Sequence, residues 1–235
     1  MLSESSNGLL TVFAGCGYSF RAAAMPTGRM PLIDSAAARG RLDVRDIDIR
    51  KALFAGAFKE HEAEPDTLIV EELGLNYGEA RVDVAVINGA IHGFEIKSEK
   101  DTLDRLPAQL AVYSAALDYV TLVVHESHVQ EAVGIIPRWW GVQVVKGTPE
   151  AVHFRQRRSS KRNPKLDSVS VLRLLWKDEA LALLDELGLA KGMKSKPKEA
   201  LYLRIADALS PTEVGLRVRT ALKHRANWRV PVTAQ

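Results

Sequence analysis

Arg81-Val-Asp-Val-Ala-Val-Ile-Asn-Gly-Ala-Ile-His-Gly-Phe-Glu-Ile-Lys97 is the stretch whose folding decides the rest of the chain. Its first seven residues alternate with period two and are rich in β-branched side chains, which predicts a strand over 81–87. Asn88-Gly89 is a strong hairpin signal, because both residues tolerate positive φ. Residues 91–97 are then the return strand. Glu95 and Lys97 are two apart, so both side chains leave one face. A two-residue Asn88-Gly89 loop would set Asp83 opposite Phe94 and turn it away from Glu95. A shared site for the two carboxylates therefore requires a three-residue loop or a bulge, with Asp83 opposite Glu95.

Working outward, Asp46 is positioned to cap a helix running to about Glu60, with Ile49, Leu53 and Phe58 toward the core. Pro65-Asp66 ends it, and residues 67–73 read as a strand. After Lys97, a helix is expected over roughly 103–117. Pro107 lies in its first turn, and Leu106, Leu110, Tyr113 and Leu117 share one face. Residues 120–124 form a short continuous apolar run, as in a buried strand. A helix near 129–133 and strands near 142–145 and 152–154 follow. The expected fold class is α/β, an α-β-β-β-α-β core with a mixed sheet.

Asp83, Glu95 and Lys97 together suggest chemistry. Two carboxylates from adjacent strands can meet at one hard cation, which prefers oxygen ligands and keeps waters for a phosphate substrate. A lysine beside them can hold a bound water or balance charge on a scissile phosphate. The competing explanation is an ion-paired sheet edge.

Over about residues 46–124 the chain resembles the PD-(D/E)XK nuclease superfamily, whose core is restriction-endonuclease-like. An Asp stands on the second strand, Glu95-Ile96-Lys97 on the third, and a helix follows; Val82 replaces the motif's usual Pro. The resemblance implies that Asp83, Glu95 and the backbone carbonyl of Ile96 hold Mg²⁺ or Mn²⁺, with Lys97 catalytic. Gln109-Leu-Ala-Val-Tyr113 is similar to the Gln-x-x-x-Tyr of RecB-like members, which implies that Gln109 and Tyr113 orient the catalytic lysine or the DNA. Members often add an acid from an earlier element. Glu62, Glu71 and Glu72 are candidates, with Glu72 favoured. The run from Gly93 to Leu106, with Pro137-Arg-Trp-Trp-Gly141, also resembles an uncharacterised bacterial family assigned to this superfamily.

The 235 residues allow one large domain or a medium one with a small partner. No run of 18 apolar residues occurs, so no membrane span is expected. The single cysteine, Cys16, excludes an intramolecular disulfide and a cysteine-based zinc site, and a cytoplasmic location fits. Residues 1–42 read as a disordered or irregular extension, with Met25 and Met30 as alternative starts.

The formal charge of +3 hides an asymmetry. Residues 1–150 hold 14 Lys and Arg against 21 Asp and Glu, a net −7, whereas residues 151–235 hold 18 against 8, a net +10. A basic half attracts a polyanion, which makes DNA the expected partner. Residues 43–155 would form the nuclease-like domain and 156–168 a basic linker. Within the basic stretch Arg157, Arg158, Lys161 and Arg162 are candidate phosphate contacts. Residues 169–235 would be a helical unit, with helices over 169–187, 200–209 and near 213–224. Residues 182–201 resemble a SAP-type DNA-binding element. That likeness implies phosphate contacts through Lys191, Lys194, Lys196 and Lys198. The function expected is metal-dependent hydrolysis of DNA. The alternatives are a DNA-binding or interaction module that keeps the fold without cleavage, and an RNA nuclease.

Overall fold

The computed structural model describes residues 43–225, so the expectations for residues 1–42, Cys16 included, lie outside the described residues. Helix α1 (Asp46–Ala55) and the single turn α2 (Lys59–Glu62) lead into β1 (Leu68–Leu75), β2 (Ala80–Ile87) and β3 (Ile91–Lys97). Then come α3 (Leu106–Ala116), β4 (Tyr119–His125), α4 (Val129–Ile135), β5 (Gly141–Thr148) and β6 (Ala151–Arg158). Helices α5 (Ser168–Leu172), α6 (Lys177–Glu186), α7 (Lys198–Ala208) and α8 (Pro211–His224) close the described chain. This is an α/β fold on a six-stranded mixed sheet in the order β1-β2-β3-β4-β5-β6. The three central strands β3, β4 and β5 run parallel, and each of the other neighbouring pairs is antiparallel.

Asp46 does not cap α1. It is the first helical residue, and the cap is Arg45, whose N–H donates to the Asp48 carboxylate at 3.1 Å. The cap shifts by one because Asp48 is the acid three residues beyond Arg45 and so reaches back to its amide. The helix also ends at Ala55 rather than near Glu60, because Gly56 follows.

Each face of the sheet buries its own apolar layer. On one face Ile49 and Leu53 of α1, with Phe58, pack on Val84, Val86, Phe94, Ile96, Val123 and Val145. On the other, α3, α4 and the C-terminal helices cover Ala85, Ile87, Ile91, Leu122, Val124, Val142 and Val144. That second core continues from Val70 through Leu106 and Tyr113 to Val171, Leu184, Ile205 and Leu222.

The basic stretch after residue 155 differs from expectation. Gln156, Arg157 and Arg158 belong to β6, which pairs with β5 through Arg158↔Val142 and Gln156↔Gln143. Backbone hydrogen bonding along a sheet edge tolerates charged side chains, so basic composition did not make a linker. Asn163 then fastens the segment down. It is buried, and its amide donates to the carbonyls of Ser114 and Leu117 at 2.7 and 2.8 Å. The single helix expected over 169–187 is two, α5 and α6, separated by a turn at Arg173–Trp176.

Candidate active site

The β2–β3 register decides whether the two carboxylates can meet. Ile87 pairs with Ile91 and Val84 with Phe94, so the loop is the three residues Asn88-Gly89-Ala90. Continuing that register by one sets Asp83 opposite Glu95, as a shared face requires. The β1–β2 register, Glu71↔Val84 and Leu73↔Val82, likewise sets Glu72 beside Asp83. Three acids therefore occupy one row across three strands.

The ladder is interrupted along that row. Neither Glu72–Asp83 nor Asp83–Glu95 appears among the paired residues. Glu72 has φ +57°, a left-handed backbone that a non-glycine residue adopts at a cost on the order of 1 kcal/mol. Asp83 replaces a backbone acceptor with its own side chain: the Ile96 N–H donates to Asp83 Oδ2 at 2.6 Å. In a strand, one residue's N–H and C=O point to the same edge. The Ile96 carbonyl is therefore directed toward the interrupted edge of β2, beside Asp83.

Glu95 is buried, and donors reach both of its carboxylate oxygens. Lys97 Nζ donates to its Oε1 at 2.7 Å and Gln109 Nε2 to the same atom at 2.7 Å. The Tyr113 hydroxyl lies 2.6 Å from Glu95 Oε2 and 2.7 Å from the Arg81 carbonyl, and its single proton serves one of them at a time. Gln109 Oε1 accepts from Lys97 at 3.3 Å. Gln109 and Tyr113 are one turn apart on α3, so both reach Glu95 from the same helix face. Tyr113 is held from behind by the buried Trp140, stacked at 5.9 Å. Glu95 and Lys97 are 2% and 4% exposed, so this is a buried ion pair; Lys97 and Gln109 fill Oε1, while Oε2 takes Tyr113 and keeps one lone pair for a further partner.

Burial first, and the charge of Glu95 second, push the Asp83 carboxyl up to about 7. Burial and the same Glu95 charge raise the Tyr113 hydroxyl far above the usual phenol range, keeping it a proton donor. Arg50 of α1 reaches in from the other side. Its Nη2 meets Glu72 Oε1 at 2.6 Å and Asp83 Oδ1 at 2.9 Å, its Nη1 meets the Asp83 carbonyl at 2.8 Å, and its Nε meets Asp46 Oδ1 at 2.6 Å.

Asp46, Arg50, Glu72, Asp83, Glu95, Lys97 and Gln109 line a cleft of about 550 Å³, walled also by Arg81, Asp101 and Arg105. Among the described residues no three Asp, Glu, His or Cys side chains stand in position to hold a metal ion. Glu72 is drawn to Arg50 instead, and Glu71 lies 3.5 Å from Arg50 Nη1. Glu62 sits in the turn α2 and is absent from the cleft.

The basic candidates lie elsewhere on the surface. Lys191, Lys194 and Lys196 are exposed in the α6–α7 loop. Lys198 opens α7, its ammonium 5.9 Å from the centre of the Tyr77 ring. Arg157, Lys161 and Arg162 are exposed, and Arg162 approaches Asp118 at 3.6 Å. Arg158 is committed to structure, donating to the carbonyls of Trp140 at 2.6 Å and Pro137 at 3.2 Å. His92 faces away from Glu95, stacked on Phe94 at 4.3 Å. His125 is buried, while His128 bonds the Glu99 carbonyl at 3.0 Å. Sequence reasoning missed Arg50, Asp46, Arg81, Asp101 and Arg105. The i, i+4 pairing of Asp46 with Arg50 was the one available signal, and it does not say what the helix faces.

Fold and site define an α/β protein with a buried Glu–Lys–Gln–Tyr cluster beside a row of carboxylates. A family model described as bacteriophage P4 protein cII matches residues 43–229, and the chain belongs to that family. Protein cII of Enterobacteria phage P4 is 26% identical over 182 residues, 77% of this chain and 68% of that protein. Among solved structures, a protein of unknown function from Silicibacter pomeroyi aligns with 60% of this chain and 87% of its own, at 19% identity and a TM-score of 0.33. Among the described residues no helix is long and apolar enough to cross a membrane.

Proposed function

We propose that this chain is a divalent-cation-dependent nuclease that hydrolyses phosphodiester bonds in DNA, with Mg²⁺ or Mn²⁺ as its cation. The observation that carries the reading is the alignment of Glu72, Asp83 and Glu95 in one row, with Lys97 clamped to Glu95 by Gln109 and Tyr113. This is the arrangement that the PD-(D/E)XK likeness leads one to expect. The donors suit a hard cation: Asp83, Glu95 and the Ile96 carbonyl offer oxygen alone, and the cleft has room for waters and a phosphate.

A cation held there would polarise a phosphoryl oxygen and acidify a coordinated water. The chain's own groups divide the remaining work. Lys97, whose ammonium keeps a third N–H beyond those directed to Glu95 and Gln109, neutralises charge that develops where water attacks phosphorus. Gln109 and Tyr113 fix Glu95 so that its carboxylate does not rotate away. Arg81 and Arg105, both exposed on the cleft wall, are placed to meet flanking phosphates. The basic α6–α7 loop would add contacts farther along the duplex.

A second reading is that the same fold holds nucleic acid without cutting it. The guanidinium of Arg50 against Glu72 and Asp83 favours that alternative. One assay separates them. Purified protein is incubated with linear, circular and single-stranded DNA, and with RNA, in Mg²⁺ or Mn²⁺. Asp83→Asn, which retains an oxygen for the Ile96 N–H but removes the charge, should fold and lose cleavage. Lys97→Ala should lose turnover while still binding Mn²⁺. Activity undiminished in the Asp83→Asn protein would refute the assignment.

A further inference from the structure

Arg50 is the group that the metal-site reading leaves unexplained. It lies on α1, 33 residues before Asp83, and its side chain is only 11% exposed. One guanidinium touches the Asp46, Glu71, Glu72 and Asp83 carboxylates together with the Asp83 carbonyl. With the Ile96 amide on Asp83 Oδ2 and Arg50 on Oδ1, both oxygens of that carboxylate are engaged. Arg81 reaches Glu72 only at 3.7 Å and is itself 56% exposed. The row therefore carries its own neutralising cations, Lys97 at the Glu95 end and Arg50 at the Glu72–Asp83 end. The left-handed backbone at Glu72 places the acid that Arg50 holds.

We propose that Arg50 is a built-in counter-ion that competes with the divalent cation, so that metal binding requires its guanidinium to leave Glu72 and Asp83. The proposal rests on the metal-site reading above. Its physical basis is charge conservation in a partly buried site. Carboxylates brought together need compensation, which a guanidinium supplies through fixed N–H donors and a divalent ion through coordination. Both cannot occupy the same oxygens of Asp83. Asp46, bonded to Nε, is the pivot that keeps the displaced side chain near the cleft.

The test uses the metal alone. Mn²⁺ is titrated into wild type, Arg50→Met and Arg50→Lys by calorimetry and by Mn²⁺ electron paramagnetic resonance, without nucleic acid. Thermal unfolding is followed with and without Mn²⁺. Removing the competing guanidinium should tighten Mn²⁺ binding by about tenfold or more, as expected for releasing charge-assisted hydrogen bonds. Arg50→Lys, which keeps the charge but cannot span Asp46, Glu72 and Asp83 together, should fall between. Arg50→Met without metal should melt below wild type and gain more from Mn²⁺ than wild type does. If Arg50→Met does not fold, the Arg50→Lys affinity decides alone. Equal or weaker Mn²⁺ binding in the variants would overturn the competition while leaving the metal site standing. No binding in any of the proteins would overturn both.

Discussion

Tyr113→Phe isolates the clamp on Glu95 with the loss of one oxygen. Tyr113 is fully buried, packs on Trp140, and places its hydroxyl 2.6 Å from Glu95 Oε2 and 2.7 Å from the Arg81 carbonyl. The ring and its packing survive the substitution, so the cost is that of the lost donor. A hydrogen bond to a charged group contributes about 1.5–3 kcal/mol, and here a buried carboxylate oxygen is left unpaired, so the expected loss is about 2 kcal/mol. For a domain of this size that lowers Tm by roughly 4–8 °C. Urea unfolding followed by circular dichroism measures it. Combining the change with Gln109→Leu tests whether the two act on one carboxylate. Neighbours that share a partner should show a coupling energy on the order of 1 kcal/mol rather than additive losses. A loss below about 0.5 kcal/mol, with full additivity, would show that Glu95 is not held as described. Glu95→Gln should be harsher than either, because it leaves the buried Lys97 without its counter-charge, a loss on the order of 3–5 kcal/mol.

Two further expectations follow from the same geometry. Burial, with the charge of His61 adding, pushes the His92 imidazole down to about 3, so the folded chain resists a proton that the unfolded chain accepts below about pH 6.5. The His92 contribution to stability should therefore be level above that pH and fall by roughly 1–2 kcal/mol between pH 7 and 5, opposed over the same range by the raised Asp83 carboxyl, and His92→Gln should abolish the His92 part of the slope in urea midpoints measured at both values. An unchanged slope in the variant would assign the acid sensitivity to other groups. Replacing Lys191, Lys194, Lys196 and Lys198 together by Ala should weaken DNA binding and flatten its salt dependence by about 0.9 log unit per lost phosphate contact. Identical slopes would move the interface to the exposed Arg157, Lys161 and Arg162.

Period, turn chemistry and residue spacing were enough to order the elements from α1 to α8, apart from the division between α1 and α2 after Ala55 and the one at Arg173–Trp176. They also placed Asp83, Glu95 and Lys97 on one face once a three-residue loop was required, and put Gln109 and Tyr113 one turn apart. Those statements depend on local geometry: side-chain alternation along a strand and the pitch of a helix are set by the backbone, whatever it later packs against. The tertiary structure alone decided which groups meet from a distance. Arg50 reaches Asp83 because α1 packs on the sheet face that carries Val84, Phe94 and Ile96, and nothing in a helical stretch with an i, i+4 ion pair specifies that placement. Glu72 faces Arg50 because of a left-handed residue within β1, a strain that only the surrounding packing sustains. The basic run at 155–158 became a paired edge strand because β5 offered it hydrogen-bond partners, and Asn163 found the carbonyls of Ser114 and Leu117 only after α3 had formed. Composition records what a segment's side chains are; the hydrogen-bond partners available to its backbone are determined by the rest of the fold.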